Sequence, residues 1–395
     1  GELVYVAPLS LEVLEPFRTT VDLGTPQRYR VQLPGLGLDY DSNPENRELQ
    51  RSFVRDLEAV PALSEVARMV FQGRELMKAR EYGEAQDLFR AAQEAEPWNR
   101  MALLGLSELA IRNGNAPVGL VWADRARQID AYDAQANFLA GTAYRAMGME
   151  ADALDALGWA ARSTAYRSAA YAQLAELMIG TGSWDEARRY ARLAIDFDRY
   201  SVPGWQAMAV IGRKTADEGL ADEALEELLA LDPLHHFVWA ERFLAAAEVF
   251  VQAPGRLAQA SEESVQAPER LAQASEGSGR TLGGDAGALP EAGDLAGSLG
   301  GEYPDQTLLE LAIRYNNMGL GDDALRLLTS TPRSSPESLL HRAWRARLAD
   351  DPSLLEDPGS PAFEFPYRGE SLHVLGWASR RSDHWVWKYL LALSS

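Results

Sequence analysis

Gly73-Arg-Glu-Leu-Met-Lys-Ala-Arg-Glu-Tyr-Gly-Glu-Ala85-Gln-Asp-Leu-Phe89-Arg-Ala-Ala92-Gln-Glu-Ala-Glu-Pro97 is the stretch on which the reading of this chain turns. A helical pattern from Ser64 carries Gly73, breaks near Tyr82-Gly83, and resumes in a second helix that Pro97 closes. Proline ends a helix there because its missing N–H cannot continue the ladder. A step of 34 residues turns Gly73 into Ser107, Gly141 and Ala175. The same step turns Ala85 into Gly119, Ala153 and Ala187, and Ala92 into Ala126, Ala160 and Ala194. A fifth unit follows at a step of 37 with Gly212 and Ala224. Three columns stay small in register, which is the mark of a repeat.

Packing explains the columns. Two antiparallel helices touch along one stripe, and at the crossing points their backbones leave no room for a branched side chain. Larger residues flank the crossings, in the column Phe89, Ala123, Leu157, Ala191 and Leu228. No unit can bury its apolar face alone, so the units must stack. The pattern resembles the tetratricopeptide repeat family and covers residues 64–245 well; Ala131, Ala165 and Arg199 replace the closing proline in the middle units. A sixth unit from Thr307 to Pro332 restores it with Ala312 and Ala324. The resemblance implies an all-α, right-handed helical solenoid, with a short extended or β N-terminal arm.

The rest of the chain divides around this array. Residues 1–50 alternate or run apolar between Pro8, Pro16, Pro26 and Pro34, as in Tyr29-Arg-Val-Gln-Leu33, and predict an extended arm or the end of a missing β-domain. The stretch from Tyr40 to Asn46 predicts a turn. Residues 51–250 hold five helix pairs. Residues 251–301 contain a 14-residue near-copy, Val251 to Ser264 and Val265 to Ser278, then an Ala/Gly/Ser tract; that composition predicts a flexible insertion. Residues 302–395 hold the sixth unit, a helix at Ser338–Ala349, a proline-rich stretch, and an apolar end at His384–Leu393 that reads as the first helix of a further unit, either capping the last pair or continuing into a longer parent chain.

Composition narrows the chemistry. The chain of 395 residues is 46% hydrophobic, with 58 acidic and 38 basic residues and a net charge of -20. Such a charge repels phosphate backbones and argues against nucleic acid as a partner. No apolar run approaches the ~20 residues of a membrane-spanning helix. The chain has no cysteine, so thiolate sites are excluded. Its start, Gly-Glu-Leu-Val-Tyr, lacks an initiator Met and a basic-then-apolar leader, which suggests a processed product or a piece of a longer chain. No phosphate loop, His-Glu-x-x-His or Gly-x-Ser-x-Gly occurs, so no cofactor, metal or catalytic residue is expected. His235-His236 point about 100° apart on a helix and read as packing at its start.

An ordered set of further segments is similar to one bacterial family. They are Tyr40–Asn46, Tyr166–Ala170, Leu231–Phe237, Leu308–Tyr315, Phe365–Glu370 and Trp387–Leu393. In that family a tetratricopeptide array follows a β-sandwich, domain of unknown function 5107, which resembles mutarotase-like domains of carbohydrate-active proteins. The resemblance runs from about 40 to 393 without that sandwich. It implies an accessory C-terminal module, an alternative to a free-standing, non-catalytic scaffold.

Tetratricopeptide arrays bind along a groove lined by their first helices. Counted from Gly73, the groove positions are Val70, Arg74 and Met77, then Leu104, Glu108 and Ile111. Phe138, Thr142 and Arg145 follow, then Glu176 and Ile179, then Arg213. The Lys and Asn of a carboxylate-gripping clamp are absent from them. The mixed, partly apolar lining suits a protein or peptide, including this protein's own missing β-domain. Packing of the groove against the N-terminal arm or the insertion is the competing expectation.

Overall fold

The computed structural model describes residues 29–33, 38–43, 64–252, 304–330, 338–358 and 368–393. The reading of 251–301 as a flexible insertion falls almost wholly outside them, as do Pro332 and most of the proline-rich stretch.

Helix pairs follow one another from Glu65. They are α1 (Glu65–Ala79) with α2 (Tyr82–Ala95), α3 (Arg100–Arg112) with α4 (Ala116–Ile129), and α5 (Ala134–Ala146) with α6 (Glu150–Ala160). Next come α7 (Arg167–Gly180) with α8 (Trp184–Phe197), and α9 (Val202–Lys214) with α10 (Glu218–Leu231). Local chemistry sets the ends. Asn99 and Asp133, one repeat apart, accept the N–H groups of Ala102 and Ala136 at 3.1 and 2.7 Å and so cap α3 and α5. Gly114, Gly148 and Gly182 follow first helices with φ of 72–73°, a left-handed conformation that glycine enters without a Cβ clash. Arg80 and Ala216 hold the same column at 66° and 55°.

The small columns lie at the crossings. Ala85, Ala92, Ser107, Ala126, Ala153 and Ala160 are all 0% exposed. A Cβ on Gly73 would stand 2.9 Å from the Phe89 ring, and one on Gly141 2.7 Å from Leu157. The first helices α1 and α5 thus receive the large residue of their own second helix, Phe89 and Leu157, where α4 and α8 carry Ala123 and Ala191. Burying such a side chain contributes roughly 2–3 kcal/mol, and a branched residue at either glycine would forfeit it through steric overlap.

Beyond α10 come α11 (His236–Gln252), α12 (Pro304–Asn317), α13 (Gly321–Thr329), α14 (Leu339–Leu348), a 3-10 turn (Pro352–Leu355), α15 (Gly369–Arg381) and α16 (Trp385–Leu393). One apolar cluster runs from Ala175 on α7 through these helices to Leu390 on α16. Within it the Phe237 and Tyr315 rings stack at 5.3 Å, joining α11 to α12. The expectation for the chain's end is corrected in one respect: α16 packs against α15 as its second member. Its buried Trp387 donates to the Leu355 carbonyl at 3.1 Å.

Two short strands, β1 (Arg30–Leu33) and β2 (Leu38–Asp41), pair antiparallel with Val31 opposite Tyr40. Tyr40 and Asp41 therefore lie in a strand, where the sequence predicts a turn; the chain bends at Ser42, whose N–H donates to the Tyr29 carbonyl. The architecture is an all-α tetratricopeptide-type solenoid with this small N-terminal sheet. No helix among the described residues is long and apolar enough to cross a membrane.

Candidate interaction surface

The first helices α1, α3, α5, α7 and α9 carry every groove position that the spacing singles out, but those positions meet different fates. Val70, Leu104 and Ile179 are 8%, 1% and 2% exposed and serve as core. Met77 and Ile111 are partly buried against core clusters. Arg74 is exposed and makes no ion pair with any described residue. Glu108 accepts from Arg112 one turn on at 3.0 Å. Phe138 lies 5.3 Å from the Tyr166 ring. Burial raises the Tyr166 phenol above its usual range, Glu108 adds to the rise, and Arg74 opposes it, so the three polar groups share one electrostatic neighbourhood. The Thr142 hydroxyl donates to the Phe138 carbonyl and accepts from Gln173 Nε2, both at 2.9 Å.

Further along, the same face is covered from within the chain. Arg145 on α5 donates to the Glu176 carboxylate at 2.5 Å and to the Asn317 carbonyl at 2.7 Å. Arg314 on α12 donates to the other oxygen of Glu176, and its Nε reaches Gln206 on α9 at 3.0 Å. The Glu176 side chain is 4% exposed. Burial pushes its carboxyl up, but Arg145 and Arg314 more than offset that, and the net displacement is downward.

Arg213 on α9 forms the second knot. Its Nε and Nη2 fork onto Glu241 of α11 at 2.8 and 3.1 Å. Nη1 reaches Glu248 at 2.7 Å, and Nη2 also reaches Asp323 of α13 at 2.9 Å. Arg213, Glu241 and Asp323 side chains are only 3%, 2% and 1% exposed. Lys214 bonds Glu248 and Asp323, and the Tyr315 hydroxyl donates to Glu241 at 2.6 Å. Burial raises the Tyr315 phenol well above its ordinary value and Glu241 raises it further, keeping it a donor. Burial also tends to raise Asp323, yet Arg213 and Lys214 hold it below the usual carboxylate range. A cleft of about 340 Å³ opens beside this knot, lined by Arg213, Lys214, Glu248, Asp323 and Arg326. Each of these five charges already faces an opposite one, and Asp322 also lines the cleft.

Gln206, Lys214, Glu241, Arg314 and Asp323 are absent from the positions that repeat spacing selects. Repeat spacing finds neighbours one unit apart, whereas Arg314 and Glu176 are 138 residues apart and Arg213 and Asp323 110. The one usable signal was Arg213 itself, a charge on a helix whose preceding residues from Gly204 to Gly212 are all buried. His235 sits at the foot of α11, its ring 6.3 Å from Phe237, and burial lowers its pKa. Among the described residues no three His, Asp or Glu side chains are placed to hold a metal.

No protein-family model matches this sequence, and no curated relative does. Several solved structures share some of its architecture. A tetratricopeptide repeat protein from Parabacteroides merdae is 11% identical, aligning 83% of this chain with 98% of its own at a TM-score of 0.40. YrrB, a tetratricopeptide protein described as having an unusual peptide-binding site, is 16% identical over 44% of this chain and 90% of its own, at 0.36. The Thermus thermophilus tetratricopeptide protein TTC0263 is 17% identical over 47% and 99%, at 0.39. With identities this low and TM-scores below 0.5, the reading of the site rests on the helix pairs and side chains above.

Proposed function

We propose that this chain is a non-catalytic interaction scaffold, and that the open part of its first-helix face, on α1, α3 and the start of α5, receives an extended peptide segment of a protein partner. The observation that carries this is the exposed Arg74, without an ion-pair partner among the described residues, on the first-helix face that also carries Glu108 and Phe138, whose ring meets that of Tyr166. A cation, an anion and two half-buried rings on one face offer a peptide both charge and apolar anchors. Val70 and Leu104 are buried beneath that surface, while Arg145, Glu176 and Arg213 are already engaged by the chain's own helices.

Selection of peptides from a random library on the full chain tests the reading. Enriched sequences should lose at least tenfold in affinity on Arg74→Glu or Glu108→Arg, and should be indifferent to Arg90→Glu on the exposed face of α2. Peptides that bind equally well to all three variants would overturn it. A missing β-domain as the natural occupant would appear as binding of that domain in trans with the same sensitivity. Hydrolysis of glycosides by the chain alone would instead favour a catalytic reading.

A further inference from the structure

The contacts of Glu176 go beyond peptide docking. This carboxylate lies on α7, yet its two oxygens are taken by guanidinium groups from α5 and α12, which are far apart in sequence. Around it the C-terminal helices approach the first-helix face almost without side chains. A Cβ added at Gly319, after α12, would meet the Gly180 Cα of α7 at 2.6 Å. A Cβ added at Gly369, at the start of α15, would meet the backbone of Gly114 after α3 at 2.5–2.6 Å. Asn317 ties these sites together, accepting from Arg145 through its carbonyl and donating to Glu370 at 3.4 Å.

The seam toward α3 and α5 is therefore ionic and backbone-to-backbone, while α7 adds the Gly180–Gly319 backbone approach and the Glu176 ion pairs to its share of the apolar cluster. The seam toward α11 is apolar and continuous with the main core, through Phe237 and Tyr315. Parting the first seam hydrates charges and peptide groups, which water solvates well; parting the second would expose rings. The molecule has an edge that can open and an edge that stays shut.

We propose that Glu176 is a latch: by bridging Arg145 and Arg314 it closes the solenoid on itself, and its release swings the C-terminal helices away from α3, α5 and α7 about the α11–α12 contact. Removing the one carboxylate leaves two guanidiniums facing each other with no anion between them, so the contact turns from attractive to repulsive. The face uncovered is the one bearing Arg145 and Glu176.

The absence of native cysteine makes the test direct. Nitroxide labels on Asn113→Cys and His373→Cys, both at exposed sites flanking the Gly114–Gly369 contact, report closure through dipolar broadening. The otherwise native protein should give a broadened spectrum. Glu176→Gln and Arg314→Gln should each lose most of that broadening while helical circular dichroism stays unchanged. If Glu176→Gln loses helicity, Arg314→Gln alone decides. Retained broadening in a folded Arg314→Gln protein overturns the latch. The readout is a distance, so it stands or falls independently of peptide binding on α1 and α3.

Discussion

The two halves of the first-helix face have the same repeat positions but opposite chemistry. Among the described residues on α1 and α3, Arg74 is exposed without an ion-pair partner, and Glu108 forms its ion pair within its own helix. On α5, α7 and α9, Arg145, Glu176 and Arg213 hold partners 172, 138 and 110 residues later. Repeat stacking uses small residues and is alike in both halves. What separates them is whether a distant charge arrives to neutralise the position. A buried ion pair adds little net stability over an apolar substitute, but breaking one is costly, so such pairs specify an arrangement more than they strengthen it.

The sharpest break of this comparison is Arg213→Met. It leaves Glu241 and Asp323 buried without their main cation and should cost about 3–5 kcal/mol in chemical denaturation. Arg74→Met, at the matched site in the open half, should stay within about 0.5 kcal/mol. Equal losses at both sites would erase the distinction.

Acid should act on the closed half first. Glu176 and Asp323 are both held below their ordinary pKa in the folded state, so their contribution is present above the unfolded value, about 4 for a free carboxyl, and is lost as pH falls through the folded value. Hydrogen exchange followed from pH 7 to about pH 3 should show α12 and α13 losing protection before α1 to α4; simultaneous loss would count against two distinct halves.

Gly369→Ala probes the contact sterically. Its Cβ must displace the Gly114 backbone, and the strain should cost about 1–3 kcal/mol and loosen the α15 contact without touching any charge. An unchanged melting curve would mean that the approach there is slack. The smallest effect belongs to the repeat itself. Ala216 holds at φ 55° the place that glycine takes after α3, α5 and α7, so Ala216→Gly should stabilise by about 0.4–1 kcal/mol, read by thermal melting.

Residue spacing alone determined the helix pairs, because each crossing excludes a Cβ or a branched side chain and thereby writes a small residue every 34 positions through four units and 37 positions on in the fifth. It also selected the face on which Arg74, Glu108, Arg145, Glu176 and Arg213 stand, since helical geometry is local. The second member of the final pair, α16, was misassigned because an apolar helix shows how much it buries but not against which neighbour. The turn predicted over Tyr40–Asn46 was likewise started two residues too early, since strand pairing of Tyr40 with Val31 depends on a partner nine residues away. Which half of the face stays open was decided only by tertiary structure. Charge pairing between Glu176 and Arg314, or Arg213 and Asp323, depends on distances in space, and neither member carries a pattern that names the other.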